Sequence, residues 1–210
     1  MGSTLDLGRR VDLVSMDPHF RDITIGLYER YRDGVPEYLV HSYSGFEGVR
    51  QRLDFLVQAM ATLGALDLSG GWLRFPCGAR HQLAIRRVFL EACKIPTGAA
   101  VEPKPLTVLD KKLDRTITVT SSQPGLYEVS ADAPQEKSAA RVDAITGGLK
   151  KLAEIEFVDG QPHRVKFACE QPHDALIGLL LPRALNVRAV LREEEMAASR
   201  GTLAAPSAQK

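Results

Sequence analysis

A chain of 210 residues, 44% apolar and 25% charged, has an ordinary globular composition and enough length to bury a core without crosslinks. Its 27 basic residues are balanced by 26 acidic ones, and a net charge of +1 gives no field for nucleic acid or an anionic membrane. The longest apolar stretch, ALIGLLLP at 175–182, is too short to span a bilayer, the three cysteines make no disulfide framework, and the first ten residues lack a signal-peptide pattern.

RVDLVSM (10–16) and DITIGLYERY (22–31) alternate apolar and polar residues, as half-buried strands do. PEYLVHSYS (36–44) follows across an Asp-Gly turn signal and reads as a third strand. SGFE at 44–47 matches a capping box, with Ser44 taking an orphan amide and Glu47 reaching back. Behind it Val49, Leu53, Leu56, Val57, Met60 and Leu63 have helical spacing, ending at Gly64 or at the pair Gly70–Gly71. WLRFPC (72–77) is a short strand and RHQLAIRRVFLEACK (80–94) a second helix.

PTGAAVEPKP (96–105) is a connector, and the order then repeats. Strands are expected at 105–110, 115–121 and 125–131, a helix from about Gln135 to Ile155, a strand at 163–169 and a helix at 173–185. Pro182 is expected to kink that last helix or to end it near Leu181. A further helix at about 188–199 has no counterpart in the first half, and 199–210 reads as a frayed tail. The fold class is therefore α+β, a tandem duplication of a βββαβα unit (1–98 and 99–187, then 188–210), with helices covering the sheets and halves related by a pseudo-two-fold axis.

Sliding the chain by 92 residues lays 48–95 on 140–187 without a gap, with seven identities. These are few, and most of the support comes from matched apolar positions such as Leu53/Ile145, Val57/Leu149 and Leu73/Val165. The identities include a repeated motif, F-x-C-x-x-x-H, in FPCGARH (75–81) and FACEQPH (167–173). In both copies it spans a strand end, a loop and a helix start.

Three readings of the motif stand side by side. In the first, Phe and Cys are packing residues and His caps the helix, which a repeated unit would simply repeat. In the second, Cys77, His81, Cys169 and His173 surround one zinc at the pseudo-symmetry axis, which requires the two strand ends to meet. In the third, Cys77 is a nucleophile with His81 beside it, and Arg80, Arg86 and Arg87 bind an anionic substrate. The copies differ in charge: Glu170 and Asp174 flank His173, where Arg80 flanks His81.

Four tyrosines within residues 28–43 lie on expected strands, where cross-strand aromatic pairing accounts for them better than base stacking does. The expected function is a soluble cytoplasmic protein that binds a small anionic ligand or a protein partner between its halves, with no nucleic acid or membrane as partner. The alternative is a small enzyme with a Cys/His centre, thiol or zinc. Exposed sheet edges make a homodimer a further expectation.

Overall fold

A computed structural model describes residues 8–14, 17–19, 23–153 and 155–202. In the first half β1 (Arg9–Val14), β2 (Ile25–Arg32) and β3 (Val35–His41) precede α1 (Val49–Gly64), β4 (Asp67–Ser69), β5 (Trp72–Arg74) and α2 (Gln82–Cys93). In the second, β6 (Thr107–Asp110), β7 (Arg115–Gln123) and β8 (Leu126–Ala131) precede α3 (Gln135–Leu152), β9 (Ile155–Val158), β10 (Gln161–Phe167) and α4 (Asp174–Ala184). A last helix, α5 (Val187–Thr202), packs on α3 and α4.

The strands form two antiparallel sheets of identical order, β1-β2-β3-β5-β4 and β6-β7-β8-β10-β9. The α+β class and the repeated pattern of strands and helices are thus present in both halves. The helices of one half pack on those of the other, α1 and α2 against α4 and α2 against α3. One continuous apolar core results, from Ile25, Leu27 and Phe75 through Val88 and Leu180 to Phe167 and Val119.

Each half holds one more strand than the pattern suggested. The helix expected to reach Ile155 stops at Leu152, and Ile155 instead opens β9, paired through Phe167 to β10. In the first half β4 pairs in the same way with β5. These edge strands are short, and all three residues of β4 are exposed, so no alternation marks them. The tail read from residue 199 is helical as far as Thr202, and the remainder lies outside the described residues.

Two local expectations are corrected. The capping box does not form: α1 starts at Val49 behind Gly48, which sits in the left-handed region at φ 82°, and no side chain caps it. Ser44 Oγ instead accepts the Phe46 amide at 3.4 Å, in a turn ahead of the helix. Nor does Pro182 end α4, which continues to Ala184. Proline there removes the donor to the Gly178 carbonyl. Gly178 is also where the connector passes: a Cβ on it would lie 2.1 Å from the Lys104 carbonyl oxygen.

The internal register is corrected as well. On α1 the buried positions include Val49, Leu56, Val57, Ala59, Met60 and Leu63; on α3 they include Ser138, Ile145, Thr146, Gly148, Leu149 and Leu152. These match at a separation of 89 residues, not 92. Arg52 and Arg141 stand at the same separation and do the same work. Arg52 donates to Asp17 (3.0 Å) and to the Cys93 carbonyl (2.8 Å). Arg141 donates to Asp110 (2.6 Å) and to the Leu185 carbonyl (3.0 Å). Each arginine therefore ties its helix to a carboxylate and to the C-terminal end of the next helix.

From β5 and β10 onward the separation is 92, because the hairpin leading to β10 is three residues longer than the one leading to β5. An ungapped shift mimicked the true one across α1. A slip of three residues rotates a helix by about 300°, which nearly restores its apolar face.

Candidate metal centre

The two F-x-C-x-x-x-H segments are built alike. β5 and β10 run into Phe75 and Phe167, both fully buried. Each Phe carbonyl then accepts an amide three residues on, from Gly78 (2.9 Å) and from Glu170 (3.0 Å). Both turns need a left-handed residue: Gly78 has φ 68° and Glu170 φ 52°. Glycine takes this readily and glutamate at some cost, so the turn is imposed by its surroundings in the second copy. The tight turn aims Cys77 and Cys169 back toward the helix starts. His81 and His173 stand immediately before α2 and α4, and their carbonyls accept the amides of Ile85 and Ile177.

The four side chains converge. Cys77 Sγ lies 3.3 Å from His81 Nε2, and Cys169 Sγ lies 3.1 Å from His173 Nε2. The two imidazoles meet edge to face, with centroids 4.7 Å apart. One ligand atom from each of the four residues falls within 4.8 Å of all the others. This cluster can hold a metal ion. A tetrahedron with metal–ligand arms of about 2.0–2.3 Å has edges of about 3.3–3.8 Å, so small side-chain adjustments suffice.

Aromatic rings fix the imidazoles from both halves. Phe75 packs on His81 (4.9 Å) and on His173 (5.7 Å), while Phe167 packs on His173 (4.4 Å) and on His81 (5.6 Å). This reciprocal exchange places the cluster on the pseudo-two-fold axis. The histidines are 5% exposed, whereas the cysteines are partly exposed residues at the edge of the apolar core.

Electrostatics suit ligands that lack a proton on the binding nitrogen. Burial lowers the pKa of His81, and burial together with His81 lowers that of His173 to about 4. Both rings are therefore neutral near pH 7. Burial pushes the Cys77 thiol up to about 11, against the Ala79 amide that donates to its sulfur at 3.4 Å. A metal ion would replace that proton. Without one, Cys77 is a protonated thiol.

The three arginines are engaged elsewhere or buried. Arg80 clamps Glu29 with two bonds of 2.8 and 2.7 Å, and the Glu29 side chain is 2% exposed. Arg86 donates to Asp12 at 3.1 Å. Arg87 is buried, and desolvation with Arg183 and Arg86 nearby lowers its pKa to about 10.

One contributor was missed in the sequence. Tyr127 Oη accepts the His173 amide (2.6 Å) and donates to Asp174 (2.8 Å), holding the start of α4 in place. Its counterpart is Tyr38, 89 residues earlier, and the two pack on Phe167 and Phe75 respectively. Y-x-V in the third strand of each half, at Tyr38–Val40 and Tyr127–Val129, was the available signal. The halves differ here: Tyr38 Oη is buried against the Glu29 carboxylate, which Arg80 already clamps with two bonds, and it makes no hydrogen bond of good geometry.

A cleft of about 410 Å3 adjoins the cluster, lined by Gly64, Lys104, Pro172, His173 and Asp174 among others. It opens where the end of α1, the connector and the start of α4 meet, between the halves. No helix among the described residues is long and apolar enough to cross a membrane. Compared with protein-family models, curated proteins and solved structures, the chain matches none.

Proposed function

We propose that this protein binds one zinc ion through Cys77, His81, Cys169 and His173, and that the ion fastens its two halves around a ligand- or partner-binding cleft. The convergence of the four ligand atoms within 4.8 Å carries the reading. Two thiolates and two imidazoles in a tetrahedral set suit zinc better than magnesium or calcium, which take oxygen ligands. Four protein ligands leave no open position for substrate, the mark of a structural rather than a catalytic zinc.

The cleft beside His173 is the natural place for a small ligand or a segment of a partner. Its wall carries both Lys104 and Asp174, so it offers one group of each charge to a ligand. A thiol enzyme using Cys77 finds less support, since burial keeps that thiol protonated and Arg80 and Arg86 already bind carboxylates. A reducing cytoplasm would keep both sulfurs available as ligands.

Elemental analysis of protein purified without chelator or affinity metal tests the reading. One zinc per chain, lost together in Cys77→Ser and His173→Ala, is the expected result. Metal-free protein that takes up no added zinc would sink it.

A further inference from the structure

Cys77 and Cys169 descend from equivalent positions in the two halves and are brought within 4.8 Å of each other. They belong to different halves, 92 residues apart, and both are half-buried, whereas the histidines are buried. The cysteines are thus the less buried residues of the cluster. A disulfide needs its sulfurs about 2 Å apart, so closing the bond draws the two motif loops together. Cys93, the third cysteine, is 3% exposed in the apolar core, and burial raises its thiol to about 12. It is neither reachable nor nucleophilic at neutral pH.

We propose that Cys77 and Cys169 are a redox pair, joined by a peroxide into a disulfide that crosslinks the two halves and expels the bound metal. The inference rests on the zinc reading above. In the metal-loaded chain both sulfurs would be thiolates, and one attacks a peroxide oxygen, forming a sulfenic acid and releasing hydroxide. The second thiolate then attacks that sulfur, forms the S–S bond and displaces a second hydroxide. Two thiolates lose two electrons, the peroxide takes both, and its O–O bond breaks. His81 and His173 remain as two ligands of the original four, too few to retain the ion.

The ion and the disulfide are therefore alternative fasteners for the same pair of halves. The chain stays tethered in both states, and what changes is the metal and the arrangement of the motif loops. The cleft wall formed by Pro172, His173 and Asp174 follows directly on one of those loops. Oxidation would accordingly alter the cleft.

The test is titration of the zinc-loaded full chain with hydrogen peroxide, following zinc with a chromogenic chelator and crosslinks by non-reducing peptide mapping. The expected result is one zinc released per Cys77–Cys169 disulfide, with Cys93 still a thiol, and reversal by a dithiol reductant plus zinc. Cys77→Ser should form no internal crosslink, while Cys93→Ala should crosslink as the parent does. Retained zinc, sulfinic acid without a crosslink, or a disulfide to Cys93 would each overturn the switch and leave the zinc reading intact. A chain that neither contains nor takes up zinc would overturn both.

Discussion

Glu91 on α2 and Arg183 on α4 stand at equivalent positions, 92 residues apart, and form an ion pair with each other across the axis that relates the halves. Identical residues at such a position would face like charge with like. The two positions carry opposite charges, and the contact between halves uses that difference. Both side chains are partly covered, 23% and 15% exposed. A double-mutant cycle of Glu91→Ala and Arg183→Ala should give a coupling of about 1 kcal/mol in urea melts, the upper end for exposed pairs. Glu91→Arg should cost more than either single truncation. Additive single effects would remove the pair from the account of how the halves hold together.

Metal removal should destabilise the protein as a whole, because the ligands come from both halves. An ion bound only by the folded state adds about 4 kcal/mol when free metal exceeds its Kd a thousandfold. Thermal melts with and without a strong chelator measure this directly. Cys169→Ser should abolish the chelator effect. Cys93→Ser should keep it, although packing is lost at a site 3% exposed.

The two equivalent tyrosines should behave differently. Tyr127→Phe leaves the buried His173 amide without its acceptor and should cost about 1–3 kcal/mol. It should also weaken zinc binding, because that hydroxyl seats the histidine. Tyr38→Phe removes a buried hydroxyl that makes no hydrogen bond of good geometry and faces a Glu29 carboxylate already held by Arg80, so it should cost less than Tyr127→Phe. Denaturant midpoints and zinc competition for both variants decide the matter. Equal effects would mean the hydroxyl of Tyr127 holds nothing in particular.

Acid sensitivity should trace in part to Asp110. Two bonds from Arg141 hold its carboxyl below the usual range, with the Lys112 amide adding to the effect. Its pKa is lower folded than unfolded. The stability it contributes is therefore complete above the unfolded value of about 3.9 and is lost as pH falls through the lower folded value. Asp110→Asn should be less stable than the parent at pH 6, and the gap should narrow on acidification below about pH 4. A gap that stays constant from pH 6 to pH 2 would show that the charge of Asp110 is not what matters.

Gly178 should not tolerate a side chain. A Cβ there would lie 2.1 Å from the Lys104 carbonyl oxygen, so the connector must lift away from α4. Gly178→Ala should cost about 1–3 kcal/mol despite alanine's better helix propensity. Lys104 lines the cleft, so any ligand found to bind there should bind Gly178→Ala differently. A stabilised variant would mean the connector moves freely.

Much of this protein was legible in its residues. Alternation marked β1 and β2 and helical spacing marked α1, and the other helices and the strands β3, β5, β6, β7, β8 and β10 were expected at their places in the chain. The repeated Phe, Cys and His were visible because their separation of 92 is undisturbed from β5 onward. β4 and β9 were not visible: all three residues of β4 are exposed and show no alternation, and Ile155 at the start of β9 continues the apolar spacing of the helix before it. The register of α1 on α3 was misread for the opposite reason: a helix nearly repeats itself after three residues, so a false alignment satisfied the same rule as the true one.

What the sequence by itself determined was the inventory, two similar α+β halves and two copies of a motif with metal-ligand chemistry. Only the tertiary structure decided that the two copies meet. Their approach depends on how four helices and two sheets share one core, a long-range outcome that no local spacing encodes. It likewise decided that Arg80 belongs to Glu29, Arg52 to Asp17 and Tyr127 to His173. A buried polar group must find a partner, but burial is a property of the packed chain, and the identity of that partner follows from geometry alone.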